Sequence, residues 1–250
     1  MNSGGFTALI LAAGKGTRMR SGLPKVLHSV GGEPMVLYPV RLFEALGARR
    51  IIVVIGHGAR KVRRVLGEGV ETVVQSRQLG TGHAATCAAP LFAREKGTLA
   101  VTYGDMPLLR PRTVERLLRA HERGANAATV LTAVIADPPP FGRVIRARDG
   151  AFVKILEAKD CSPRQLKINE VNSGAYCFNI PPLLEALKEL DTDNAQGEYY
   201  LTDVVGMLAG RGLRVGTLTV EDNREIHGIN TADDLAEANR LMEEMSLEAS

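Results

Sequence analysis

The sequence is short of charge of one sign, of cysteine and of long apolar runs, and each shortage removes a class of protein. Its 31 Lys and Arg against 28 Asp and Glu leave a formal charge of only +3, with the arginines scattered rather than massed. A nucleic-acid face needs a concentrated basic patch. A locally positive cleft for phosphorylated small molecules fits this balance better, because steering depends on local charge. The three cysteines, Cys87, Cys161 and Cys177, form no Cys-x-x-Cys pair and have no histidine at metal-ligand spacing. Such usage points to a reducing compartment without disulfides. No apolar run approaches the ~20 residues of a membrane span. The opening Met1-Asn2-Ser3-Gly4-Gly5 lacks the charged start, apolar middle and cleavage site of a signal peptide. The expectation is a cytoplasmic protein with neither membrane nor nucleic acid as partner.

What is present is an ordinary globular composition: 250 residues, 45% hydrophobic and 24% charged. That suits one α/β domain with a small insert. The first half alternates short buried strands (7–12, 51–55, 71–75, 98–103, 127–135) with helices (34–46, 59–66, 82–94, 112–123). Alternation of this kind predicts a doubly wound, mostly parallel Rossmann-like sheet with right-handed crossovers. After Asp137 the pattern breaks at Pro138-Pro139-Pro140. A hairpin then follows at 143–148 and 152–157 around Asp149-Gly150, with a strand at 174–180 and a helix at 181–190. A helix at 201–209, a strand at 214–220 and a closing helix at 231–245 complete the chain. The simplest reading is one domain, with a nucleotide half at 5–136, a smaller β-rich half at 137–230 and a closing helix and tail at 231–250.

The stretch Leu11-Ala12-Ala13-Gly14-Lys15-Gly16-Thr17-Arg18-Met19, with Leu23-Pro24-Lys25 beyond it, follows the first strand. Small residues at a strand's carboxyl end let backbone N–H groups approach phosphate, and Lys15, Arg18 and Lys25 supply charge. Two familiar phosphate loops are excluded. The dinucleotide fingerprint needs a glycine where Met19 stands, and the P-loop needs Ser or Thr where Gly16 follows Lys15 and glycine where Leu9 stands.

Gln75-Ser76-Arg77-Gln78-Leu79-Gly80-Thr81-Gly82-His83 carries amides able to read a base edge, and glycines that admit a flat ring. It reads equally as a turn plus helix cap. His83, with no acid nearby in sequence, reads as a structural residue at a helix start. Asp105, after Tyr103-Gly104, suits a Mg²⁺ held by few protein oxygens, though a strand-end Asp also serves as a cap. Asp222 and Glu221 read as surface loop.

The glycine loop and the Leu23-Pro24-Lys25-Val26-Leu27 run resemble the opening of the sugar-phosphate nucleotidyltransferases. More narrowly, they are similar to the uridyltransferase domain of bacterial N-acetylglucosamine-1-phosphate uridyltransferases, and the similarity extends over nearly the whole chain. The resemblance implies a nucleotide-diphospho-sugar transferase fold whose loop of Leu11, Ala12, Ala13, Gly14, Lys15 and Gly16 wraps the triphosphate. Arg18 and Lys25 would stabilise charge moving between phosphates. Gln75 and Gly80 would select uracil, with Thr81 a neighbouring contact. Asp105 and Asn230 would hold Mg²⁺. Tyr103, Gly142, Glu157 and Asn172 would surround the sugar. The segment Asn194-Ala195-Gln196-Gly197-Glu198-Tyr199-Tyr200-Leu201-Thr202-Asp203 looks nearly identical to the amino-sugar enzymes, with Tyr199 and Thr202 as pocket wall. One departure stands out: Pro140-Phe141-Gly142-Arg143 replaces the family's Gly-Tyr-Gly-Arg, which bears on sugar selectivity.

The implied reaction is Mg²⁺-assisted in-line transfer of a uridylyl group from UTP to N-acetylglucosamine 1-phosphate, releasing pyrophosphate. The competing expectations are a uridylyl- or thymidylyltransferase for glucose 1-phosphate, and a nucleotide-binding regulatory homologue without catalysis. No hexapeptide repeat follows Asn230, so acetyl transfer is not expected of these residues. Oligomeric state stays open.

Overall fold

A computed structural model describes residues 5–248; the sequence expectations for 1–4 and 249–250 lie outside them. In chain order the first half runs β1 (Thr7–Ala12), β2 (Ser29–Val30), β3 (Glu33–Pro34), α1 (Leu37–Ala45), β4 (Arg50–Ile55), α2 (Ala59–Leu66), β5 (Glu71–Val74), α3 (Thr81–Phe92), β6 (Thr98–Tyr103), α4 (Pro111–Gly124) and β7 (Ala128–Val134). The second half runs β8 (Arg143–Arg146), β9 (Phe152–Leu156), β10 (Glu170–Asn179), α5 (Ile180–Leu187), α6 (Leu201–Gly210), β11 (Val215–Thr219) and α7 (Ala232–Glu248).

The continuous apolar run of β1 is buried throughout because helices cover both faces of its sheet. Ala8, Ile10 and Ala12, with Val53 and Ile55 of β4, pack with side chains of α1, α2, α4 and α7. Leu9 and Leu11, with Ile52 and Val54, pack instead with side chains of α3, α5 and α6. The period-two alternation of a strand therefore divides the core into two layers, the doubly wound arrangement.

The nine-stranded sheet has the order β11-β7-β10-β6-β1-β4-β5, with the β8–β9 hairpin attached through β8 to β10. Along that order β1, β4, β5 and β6 are parallel, while β10 runs antiparallel to both β6 and β7. The β-rich second half is thus an extension of the same sheet. From β1 the chain moves to β4 and β5 on one side and then returns to β6 on the other. This reversal opens a crevice beyond the carboxyl ends of β1 and β6, where ligands gather in open α/β sheets.

Local differences from the sequence reading have simple causes. The helix expected at 34–46 starts at Leu37, because a Gly31-Gly32 turn pairs Ser29–Val30 with Glu33–Pro34. The strand expected from Gly174 begins at Glu170 and carries a bulge between Asn172 and Tyr176. Among the described residues, the three cysteines are free thiols, and no helix is long and apolar enough to cross a membrane.

Phe43 of α1 is 1% exposed and meets Phe6 edge-on, with ring centroids 6.0 Å apart. Phe43→Ala should cost ~3–5 kcal/mol, the usual range for deleting a buried ring. Urea denaturation measures this; a loss below about 1 kcal/mol would show that the α1 layer is dispensable to the core.

Candidate functional site

A cleft of about 620 Å³ opens at the crevice between β1 and β6. Leu11, Ala12, Ala13, Gly14, Lys15, Gly16, Arg18 and Lys25 line one part of it. Gln75, Gly80 and Thr81 line a second part, and Tyr103, Asp105 and Asn230 a third. Gly142, Glu157 and Asn172 complete the wall from the β8–β10 side. The structure therefore brings together segments from both halves of the chain.

The loop after β1 turns because Gly16 takes a left-handed conformation, with φ 62°. A Cβ there would stand 2.5 Å from Cβ of Lys25, so only glycine lets the loop close against the Lys25 segment. Lys15 and Arg18 are exposed at the cleft. Lys25 sits on the short 3₁₀ turn Lys25–Leu27, its side chain only 12% exposed.

Lys25 is the meeting point. Its ammonium donates to Asp105 Oδ2 in a short ion pair and to Asn230 Oδ1 at 3.0 Å. Asp105 follows the carboxyl end of β6, and Asn230 precedes α7. The Ile229 N–H donates to the Asp105 carbonyl at 3.1 Å, fastening the two loops main chain to main chain. In the sequence Asn230, together with Thr231, reads also as a simple cap for α7. Thr231 Oγ1 accepts from the Asp234 N–H at 3.1 Å, and Asp234 Oδ2 accepts from the N–H groups of Asn230 and Thr231 at 2.9 Å each. This reciprocal cap uses Thr231 and Asp234, so the Asn230 amide is directed to Lys25. The turn leading to it is clamped by buried Glu225, which accepts from Arg110 N and Thr113 Oγ1 at the start of α4.

Two hard oxygens, one carboxylate and one amide, thus surround one positive charge. Among the described residues no group of three or more His, Cys, Asp or Glu comes together. The donor set suits a divalent ion that takes its other oxygens from water and phosphate, the habit of Mg²⁺.

Gln75 is 3% exposed at the end of β5. Its Nε2 donates to the Gly80 carbonyl at 3.0 Å and faces His83 Nδ1 at 2.9 Å. Gly80 has φ 108°, and a Cβ there would stand 2.4 Å from the Tyr199 carbonyl. Glycine is required at this position because the Glu198–Tyr199 backbone lies directly behind it.

At the other end, Glu157 Oε1 accepts from Thr202 Oγ1 at 2.9 Å. Burial pushes its carboxyl pKa up; the Thr202 hydroxyl pulls it down, and Asp203 and Asp160 add to the rise. The β10 bulge turns Asn172 towards the cleft, where Nδ2 donates to the Tyr176 hydroxyl at 2.7 Å. Burial, with the nearby Glu157 charge, also raises the Tyr103 phenol.

Two expected wall residues stand one layer back. Tyr199 lies behind Gly80, its ring beside His83 with centroids 6.2 Å apart and its carbonyl accepting from the Gly82 N–H at 2.8 Å. Thr202 is 2% exposed and reaches the cleft only through Glu157. Of the distinctive segment Glu198 lines the cleft, while Tyr199 and Thr202 support its wall from behind.

Arg143 is a structural residue that the sequence reading passed over. It is 3% exposed and has no carboxylate partner among the described residues; it donates to the carbonyls of Pro138 (3.2 Å), Pro139 (3.0 Å), Leu166 (3.2 Å) and, in a short bond, Phe141. A proline run has carbonyls but no N–H groups, so a guanidinium with five donors is the natural clasp. The signal was the Arg two residues after Phe141, itself a cleft residue.

Comparison with known proteins agrees with this geometry. Residues 8–166 match the MobA-like NTP transferase domain. The chain is 45% identical over 235 residues to the bifunctional protein GlmU of Acetivibrio thermocellus, covering 94% of this chain and 51% of that protein. It is 47% identical over 240 residues to the bifunctional protein GlmU of Shouchella clausii, covering 96% and 53%. The protein of the same name from Syntrophotalea carbinolica is 47% identical over 238 residues, covering 95% and 51%. The chain spans about half the length of these relatives. With a matched segment that contains the glycine loop, Gln75 and Asp105, the chain belongs to the family of MobA-like NTP transferase domains.

Proposed function

We propose that the chain transfers a uridylyl group from UTP to N-acetyl-α-D-glucosamine 1-phosphate, releasing pyrophosphate, with Mg²⁺ as the metal. The observation that carries this reading is the convergence of Lys25, Asp105 and Asn230 between the glycine loop and the Glu157–Asn172 wall. Residues 5–136 would then hold the nucleotide and 137–230 the sugar, with α7 closing the fold directly after Asn230. A cytoplasmic setting goes with this reading, supported by the three free thiols.

In this assignment the loop from Leu11 to Gly16 holds the triphosphate through backbone N–H groups and Lys15. Gln75 and Gly80, with Thr81 beside them, take the base. Glu157, Asn172, Gly142 and Tyr103 take the sugar hydroxyls and acetamido group, and Tyr199 and Thr202 hold that wall in place. An oxygen of the sugar phosphate forms a bond to the α-phosphorus while the bond to the bridging β-phosphate oxygen breaks, and pyrophosphate departs on the opposite side. The attacking oxygen is already an anion, so no protein base is needed. Lys25 holds the reacting phosphates together, and Arg18 neutralises charge on the leaving pyrophosphate. Asp105 and Asn230 would hold a divalent ion there, which would supply further charge neutralisation when bound.

The direct test is pyrophosphate release from UTP and N-acetylglucosamine 1-phosphate, with glucose 1-phosphate and thymidine triphosphate as alternatives. Release only with glucose 1-phosphate would reassign the sugar, and Phe141 in place of the family's tyrosine makes that arm worth running. Lys25→Ala or Asp105→Ala should lower kcat by roughly tenfold or far more, since such clamps act mainly in the transition state. Turnover in both variants within twofold of the parent would remove these roles. Chelation of divalent ions should abolish release and added Mg²⁺ restore it; full activity in chelator would eliminate the metal.

Glu157 gives a prediction with opposite signs for stability and function. Its folded pKa lies above the unfolded value of about 4.3. The fold therefore prefers the neutral acid, and stability is lost as pH rises from the unfolded pKa through the folded one. Glu157→Gln keeps the acceptor for Thr202 and removes this loss. The variant should melt higher than the parent at pH 8, with the gap closing near pH 4, while KM for the sugar phosphate rises. A lower melting temperature at pH 8 would contradict the first part, and an unchanged KM the second.

A further inference from the structure

His83 reads in the sequence only as a helix start, but its ring faces the side chain to which the proposed function assigns the base. The polar atoms of Gln75 can be followed one by one. Its backbone N–H donates to the Ile55 carbonyl at 2.8 Å, and its carbonyl accepts from Gln78 Nε2 at 3.0 Å. The side-chain amide nitrogen has two hydrogens and two partners, the Gly80 carbonyl at 3.0 Å and His83 Nδ1 at 2.9 Å. A carbonyl can only accept, so the atom facing Gly80 must be the nitrogen of the amide. The second hydrogen then points at Nδ1, which accepts it in the tautomer that carries its hydrogen on Nε2. Cys87 Sγ, one turn further along α3, lies 3.9 Å from that Nε2 and 4.0 Å from Nδ1, and the Tyr199 ring is tilted against the imidazole with centroids 6.2 Å apart. Only Gln75 Oε1 is left without a partner among the described residues, in a side chain that is 3% exposed and lines the cleft.

We infer that His83 is a positioning residue that locks the Gln75 amide with its oxygen towards the base, so that the site demands a donor on the base edge. This rests on the proposed assignment of Gln75 to the base. The chemistry is directional. Uracil and thymine carry N3–H, a donor for Oε1. Cytosine carries a lone pair at N3, which faces Oε1 as acceptor against acceptor unless the ring shifts. An amide free to rotate by half a turn would offer its NH₂ instead and would welcome the lone pair. With one anchor, the Gly80 carbonyl, the amide is biased; with His83 as the second, both of its hydrogens are committed. Selectivity for the base is therefore set two shells deep, by a ring that touches no substrate. His83 acts through the orientation of Gln75 and not as a proton carrier.

The test is equilibrium binding of UTP and of CTP, without sugar phosphate, to the parent and to variants at position 83. Asn places an acceptor oxygen where Nδ1 stands; Phe and Leu offer none. The parent should prefer UTP. His83→Phe and His83→Leu should lose that preference by roughly tenfold, about the worth of one hydrogen bond. His83→Asn should keep most of it. A histidine that merely filled space would give the reverse order, with Phe closest to the parent. A UTP-to-CTP ratio unchanged in a folded Phe or Leu variant would overturn the inference, as would a parent with no preference. Turnover with N-acetylglucosamine 1-phosphate is read separately. A parent that prefers UTP but releases no pyrophosphate would sink the proposed reaction while leaving the role of His83 intact.

Discussion

One ammonium group organises the molecule. Lys25 Nζ takes an oxygen from Asp105, 80 residues away in sequence, and another from Asn230, 205 residues away. Neither contact arises from local structure. Both require β1 and β6 to lie side by side, and the last helix to begin beside the end of β6. The parallel pairing of β1 with β6 supplies the first condition. The Ile229–Asp105 main-chain bond and the Thr231–Asp234 cap supply the second. A cation with two oxygens, at the point where the strand order reverses, is what a polyphosphate site needs in advance of its ligand: charge held in place without a general base.

The two ends of the cleft are built on different physical terms. The end at the glycine loop is cationic and open, with Lys15 and Arg18 exposed. The opposite end is half-buried and polar, and its carboxylate is disfavoured by burial until something replaces the lost water. Arg143 lies behind that end with its charge satisfied wholly by carbonyls, so it stiffens the Pro138–Phe141 loop without drawing on the cleft's own acids. A site of this kind stores cost in Glu157 and rigidity in Arg143, and both are consistent with a polar ligand that must be held in one orientation.

Much of this was legible in the sequence. Buried runs such as 51–55 and 98–103 have no competing pattern, and their alternation with amphipathic helices leaves a parallel sheet as the simple solution. The glycine loop was legible because two glycines and three cations follow a strand directly. Asp105 and Asn230 could be paired only through the resemblance, since no spacing rule connects residues so far apart. The roles of Arg143 and His83 were hidden for a different reason. Each depends on what it faces in space, carbonyls of a proline loop in one case and the amide of Gln75 in the other, and a single residue type announces neither. Tyr199 and Thr202 were read as wall because the segment is distinctive; the chain shows that a conspicuous motif can serve as the layer behind the wall.

In the proposed function the oxygens of Asp105 and Asn230 converge on the nucleotide's phosphates through a divalent ion. The most direct measurement is a crystal structure with a non-hydrolysable UTP analogue and Mn²⁺, located by its anomalous scattering. One peak is expected, bonded to an Asp105 oxygen, to Asn230 Oδ1 and to phosphate oxygens, with Lys25 moved onto the phosphates. A peak on the phosphates that leaves both side chains unbound, or a nucleotide seated away from the loop at 11–16, would contradict it.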